Sequence, residues 1–291
     1  MKKVALTIIL LTFSFVAGWA TNRALLIGIG HYAPNTGWKT IHGDADIALL
    51  KPRLEKQGFN VNTLINEEAT KDAIIKAFYS LLDECQTGDK VYIHFSGHGQ
   101  LIEDVNGDEN DGLDETLVPF DAGKYYEKDS YEGDRHLIDD EYNRILAEIK
   151  KKIGVTGEML VAVDACYSKS VERGECDIDD IDILESSRGT ADEFTFDGDI
   201  PNSVKEMPLP SPFDEGAGLV VITACKENER NYEYKTVTGK MYGSLSFCIA
   251  ELLIENADFN EWEQFFKEEK YRSRSKKIFQ TSQHPTATIY N

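Results

Sequence analysis

Short apolar runs alternating with segments of helical spacing constrain this chain more than any other feature. Residues 23–30 (RALLIGIG), 61–65, 90–95, 159–163 and 218–223 each read as a strand, and the longer runs are almost continuously apolar. Between them, 44–56 carries Ile47, Leu50 and Leu54 at helical spacing and meets a stop at Gly58. Residues 70–85 repeat the pattern with Ile74, Phe78, Leu81 and Leu82, and Thr70 stands where an N-cap is needed. Helices are also expected over 139–152, 244–254 and 260–270. Strands and helices of these lengths in alternation predict an α/β fold, a mostly parallel sheet with helices on both faces in three layers.

The organisation along the chain follows. Residues 1–20 have Lys2 and Lys3, an apolar run over 4–17, and small residues at 18 and 20, which is the pattern of a secretory signal cleaved after Ala20. Its apolar run is short for a membrane span. The expectation is an exported protein, periplasmic or secreted, with no membrane attachment once the signal is removed. Residues 21–170 form the first structured part. Residues 171–216 are acid-rich with little periodicity and read as a long exposed loop. Residues 217–291 complete the same domain. The net charge of −20 excludes nucleic acid as a partner, because phosphates would be repelled. The five cysteines include no CxxC pair, so neither a zinc ribbon nor a thioredoxin-like site is supported. Gly28, Gly30 and Ala33 match a loose dinucleotide fingerprint, but Pro34, Asn35 and Gly37 stand where its helix must open.

Two strand ends carry the chemistry. The third expected strand runs into Ser96-Gly97-His98-Gly99, and the fourth into Asp164-Ala165-Cys166-Tyr167-Ser168. In an open parallel sheet ligands bind beyond the carboxyl ends of the strands, so neighbouring strands would bring His98 and Cys166 to one rim. A histidine there can take the thiol proton and leave a nucleophilic thiolate. A satisfied rim histidine and a packed cysteine are the plain alternatives.

These segments also resemble a known family. HFSGHGQ (94–100), DGLDETLVPFD (111–121) and VAVDACYS (161–168) are similar to the catalytic core of metacaspases, the caspase-like cysteine peptidases. RALLIGIGHYAP (23–34), GDADIALLKPRLEKQGF (43–59) and GLVVITACKENERNYE (218–233) extend the likeness over most of residues 23–253. The resemblance implies a caspase-like fold and a cysteine endopeptidase with His98 as base and Cys166 as nucleophile. It implies an oxyanion hole from the amides of Gly99 and Cys166, and an acidic S1 pocket from Asp44, Ser96 and Asp164. Two carboxylates in one pocket favour Arg or Lys at P1 of a protein or peptide substrate. Asp44 could instead cap its helix. Tyr167 and Lys169 depart from the family pattern after the nucleophile, and Gly43 departs in the first helix, which bears on substrate range.

The chemistry needs no cofactor, but the resemblance raises calcium as an activator. The loop 104–114 resembles an EF-hand with Glu109 at the glycine position, and many metacaspases use a second acidic segment that corresponds to 137–140. The candidate ligands are Asp111, Asp114, Asp139 and Asp140; Asp140 could equally cap a helix. In the acidic loop, Arg188-Gly189 is the candidate self-cleavage point, ahead of Arg173 and Lys205. A monomer is expected. A clostripain- or gingipain-type peptidase and a silent caspase-like binding module are the rival readings.

Overall fold

The computed structural model describes residues 20–107, 109, 111–167, 187–198, 200–201, 204, 215–226, 229–254, 262, 278 and 283–290. Residues 1–19 of the expected signal segment lie outside these residues, as do Arg173 and Lys205. Of the helix expected over 260–270, Trp262 alone is described, and it is buried.

Six strands form the central sheet: β1 (Asn22–Gly28), β2 (Phe59–Ile65), β3 (Lys90–Ser96), β7 (Glu158–Asp164), β8 (Gly218–Thr223) and β11 (Thr286–Tyr290). Their order is β2-β1-β3-β7-β8-β11, parallel except for β11, which runs antiparallel along β8. The parallel strands are apolar on both faces because both are covered. Leu25, Ile27, Ile93, Val161 and Leu219 point into one core, packed with α2 (Lys71–Glu84) and α3 (Asp139–Ile153). Ala24, Leu26, Tyr92, Ala162 and Ile222 point into the other, with α1 (Gly43–Lys56) and α4 (Ser244–Ile254). This alternation sends successive side chains to opposite layers of the three-layer sandwich. Thr70 caps α2, its side chain accepting from the Ala73 amide.

Two small antiparallel sheets stand beyond the carboxyl edge of the main one. The first contains β4 (Gly99–Glu103), β5 (Leu113–Leu117) and β6 (Leu137–Ile138); the second is the hairpin of β9 (Glu233–Lys235) and β10 (Met241–Gly243). The sequence reading missed both, because their strands are short and carry polar residues inward, among them the buried Gln100, Thr116 and Glu233.

The described part of the acidic segment corrects another expectation. Residues 187–198 are not an exposed spacer. Phe194 and Phe196 are buried in the first core, and Phe194 exchanges backbone hydrogen bonds with β4, its amide donating to Leu101 and its carbonyl accepting from Glu103.

Candidate active site

Strand register sets the site. Ser96 is paired with Asp164 at the ends of β3 and β7. His98 and Cys166 each follow two residues later, so both leave the sheet at the same level. Both line one cleft of about 310 Å³, together with Trp38, Lys39, Gly189 and Arg230. A larger cavity of about 600 Å³ between α3 and the β8–β11 edge contains neither.

His98 is buried and clamped. Its ring stacks on Trp38 at 4.9 Å and lies 5.3 Å from Tyr32, whose hydroxyl accepts from the His98 amide at 2.7 Å. Nε2 is 3.0 Å from the carbonyl oxygen of Lys39. A carbonyl can only accept, so Nε2 carries the proton and Nδ1 is the bare, basic nitrogen. Among the described residues Nδ1 has no hydrogen-bond partner although it is buried. Burial holds the imidazole down to about 4, against the opposing pull of the Lys39 carbonyl, so the ring is neutral at neutral pH. Cys166 is buried, and its Sγ donates to the carbonyl of Glu229 at 3.1 Å. Gly99 adjoins it: a Cβ there would come within 2.7 Å of the Cys166 carbonyl and 2.8 Å of the Tyr167 ring.

Beside the cleft, the chain's own Arg188 is fully buried among carboxylates. One terminal nitrogen, Nη1, lies 2.8 Å from Asp46 Oδ2 and 3.6 Å from Asp164 Oδ1, and donates to Ser96 Oγ. The other, Nη2, lies 2.9 Å from Glu233 Oε1. Gly189 follows directly against the nucleophile, where a Cβ would press on the Cys166 carbonyl and Cβ. Gly243 leaves room for the guanidinium, since a Cβ at that position would fall onto Arg188 and the Asp164 carboxylate.

The acids are held firmly. Asp164 accepts from Asn231 Nδ2 at 2.6 Å and from the amide and hydroxyl of Ser246 at 2.7 and 2.6 Å. Burial alone would push its carboxyl up, but Arg188 and these donors outweigh it and hold the group below the usual carboxylate range. Asp46 accepts from Ser96 Oγ at 2.6 Å and from the Gly243 amide at 2.9 Å. For Asp46 burial wins over Arg188 and pushes the carboxyl up to about 6.

Of the expected pocket residues, Ser96 and Asp164 meet Arg188 and Asp44 does not. Asp46, two residues further along the same helix, meets Arg188 in the place expected of Asp44. Asp44 faces the loop after β1, where its carboxylate accepts from the Ala45 amide at 2.9 Å and from Asn66 Nδ2 at 3.4 Å. Residues two apart on a helix point in nearly opposite directions, so only one of the two acids can face the sheet rim. Glu233 was not foreseen either. It comes from the β9–β10 hairpin, far along the chain, and its one sequence signal is a lone acid among aromatics (Tyr232-Glu233-Tyr234).

The four candidate calcium ligands lie around one loop and the start of α3, and each has a partner within the chain. Asp114 accepts from the Val105 amide at 3.1 Å, Asp111 from the Leu113 amide at 3.2 Å, and Asp140 from Asn106 Nδ2 at 2.6 Å. Asp104 caps the loop itself, accepting from the amides of Asn106, Gly107 and Glu109. Asp139 starts α3, and its carboxyl is pushed up to about 8, first by burial and then by Glu115, Asp140, Asp114 and Glu109. Among the described residues no three His, Cys, Asp or Glu side chains are grouped to hold a metal.

Known proteins resemble the chain in sequence and in fold. Residues 22–173 match the family model described as metacaspase, peptidase C14 domain. Metacaspase-2 of Arabidopsis thaliana is 32% identical over 157 residues, covering 51% of this chain and 35% of that protein. Metacaspase-1 of Eremothecium gossypii is 31% identical over 156 residues, with 51% and 32% covered. Metacaspase-3 of Arabidopsis thaliana is 27% identical over 234 residues, with 77% and 57% covered. The chain thus spans from about a third to a little over half the length of these relatives. Among solved structures, protein GSU0716 from Geobacter sulfurreducens superposes with a TM-score of 0.61 at 21% identity, over 93% of this chain and 94% of that one, which is a likeness of fold.

Proposed function

Because the chain belongs to the metacaspase family of peptidases, with its peptidase C14 domain, we propose that it is a cysteine endopeptidase that cuts after arginine or lysine and first cuts itself after Arg188. The observation that carries the reading is the burial of Arg188 against Asp46, Asp164 and Glu233 with Gly189 on Cys166. In this reading Arg188 fills the acidic pocket as a P1 residue does, and Gly189 packs directly on Cys166.

In this reading the Cys166 thiol gives its proton to His98 Nδ1. The thiolate attacks the carbonyl carbon of the P1 residue, and the amides of Gly99 and Cys166 receive the oxyanion. His98 Nδ1–H then protonates the departing amine, and a thioester remains on Cys166. Water, deprotonated by the same nitrogen, resolves it to the free acid. The Lys39 carbonyl keeps the imidazole in the tautomer this requires. All of these groups belong to the chain itself. Calcium activation is measured directly, by assaying the enzyme with Ca2+ and with chelator. The signal-like residues 1–20 extend the proposal to an exported, monomeric enzyme acting on proteins or peptides. No helix among the described residues is long and apolar enough to cross a membrane.

The test is to incubate wild type and Cys166→Ala and to sequence the N-termini of the fragments. A new terminus at Gly189 in wild type alone is the expected result. Wild type that stays intact while cleaving peptides after acidic or aromatic residues would overturn both the cut and the basic P1 preference. Arg188→Gln should stop the cut at this bond, since an amide cannot neutralise the three carboxylates.

A further inference from the structure

The pocket's acids do not contact Arg188 equivalently. Asp46, Asp164 and Ser96 gather on Nη1, whereas Glu233 takes Nη2 at 2.9 Å. Glu233 is itself fixed from behind: the His42 amide donates to Oε1 at 2.7 Å, and His42 Nδ1 lies 2.6 Å from Oε2. Its side chain is 2% exposed. A lysine has one terminal nitrogen. Seated in the Nη1 position, it would satisfy Asp46, Asp164 and Ser96 and leave Glu233 with no cation. A buried carboxylate left in this way is costly, and guanidinium is the side chain whose fork serves two acid groups at once.

We propose that Glu233, positioned by His42, makes the pocket select arginine over lysine at P1. This rests on the reading of Arg188 as the P1 residue, and it goes further by assigning the discrimination to one side chain outside the dyad and apart from Asp46 and Asp164. Asp46 and Asp164 supply general attraction for a cation; Glu233 reads its shape. His42 is a positioning residue, since it reaches the substrate only through Glu233.

The experiment is a cycle of variants on the chain as it exists. The rate of cutting after residue 188 is measured in wild type, Arg188→Lys, Glu233→Gln and the double variant, and kcat/KM is measured for matched peptides with Arg or Lys at P1. In wild type, lysine should be slower than arginine by about 10- to 100-fold, the range of a lost charge-assisted contact. In the Glu233→Gln background that ratio should fall to about 3-fold or less, because arginine loses its second partner and lysine loses nothing. Glu233→Asp, which keeps the charge on a shorter stem, should restore part of the ratio. A purely structural role for Glu233 would slow both substrates equally, and an unchanged Arg/Lys ratio overturns the inference. A separate failure is distinguishable: if wild type cuts neither basic residue but cuts a different P1, the P1 reading itself falls, and the selectivity with it. Thermal melts of the variants identify any that do not fold, and Glu233→Asp then carries the comparison.

Discussion

Cys166→Ala and His98→Ala should each lower kcat/KM by about 10⁴-fold or more, and the double variant should be no worse than either single one. Residues acting as one unit behave in this non-additive way, because the second loss removes a group with nothing left to act on. The structural costs should differ. Cys166 lies two residues beyond the end of β7, at the rim, and alanine removes a single sulfur that donates to the Glu229 carbonyl, so the melting temperature should move by a few degrees at most. His98 is stacked on Trp38 and beside Tyr32, and alanine there leaves a gap between two aromatic rings. That loss should destabilise the fold by about 2 kcal/mol, in the range for a truncated buried side chain. His98→Gln fills more of the gap and should recover stability without recovering turnover. Substantial peptidase activity in purified Cys166→Ala would remove the dyad assignment altogether.

The second large effect is on stability in acid. Burial holds His94 and His98 down to about 4 and His136 to about 3. Each is neutral and hydrogen-bonded in the fold; His136, for one, sits between the Tyr131 hydroxyl and the Gln100 side chain. All three bind protons more readily in the unfolded chain, near pH 6.5. Stability is therefore fully present above pH 6.5 and is lost as pH falls toward 4, by about 1.4 kcal/mol per unit for each group. Two carboxyls oppose this. Asp139, raised to about 8, gains stability as pH falls from 8 toward the ordinary carboxylate value, and Asp46, raised to about 6, does so below 6. Three histidines losing against two carboxyls gaining leaves a net loss of about 1.5 kcal/mol between pH 6.5 and 5. Urea unfolding at pH 7, 6 and 5 measures it. His136→Gln should flatten the profile, and Asp139→Asn should steepen it by removing an opposing group. Stability that rises between pH 7 and 5 would contradict the balance.

Much of this was legible in the sequence, for identifiable reasons. The helix expected over 44–56 begins at Gly43 and ends at Lys56, and the strand over 218–223 is found with those bounds, because buried parallel strands and amphipathic helices write their periods plainly. The glycines around His98 and the run Asp164-Ala165-Cys166 marked the rim, since strand ends deliver ligand-facing residues whatever the loops do. What failed was direction within a helix turn and contact over long sequence distance. Asp44 and Asp46 are alike as residue types, and only the phase of α1 against β3 decides which one meets Ser96. Glu233 and Gly243 reach the site through a hairpin of two three-residue strands, each too short to show a period. The clamp on His98 uses a backbone carbonyl, that of Lys39, which no side-chain pattern can announce.

If the chain cuts after basic residues as proposed, the counter-ion that Arg188 supplies to Asp46, Asp164 and Glu233 also sets the proton inventory of turnover. When the arginine withdraws, three buried carboxylates face one another without a cation, and like charges at that distance do not all stay ionised. Asp46, already at about 6 with the cation in place, is the group that takes up a proton. A basic substrate entering the emptied pocket must expel it again. Each cycle of binding and release is then also a cycle of proton release and uptake, and substrate capture by the opened pocket should tighten as the solution becomes less acidic.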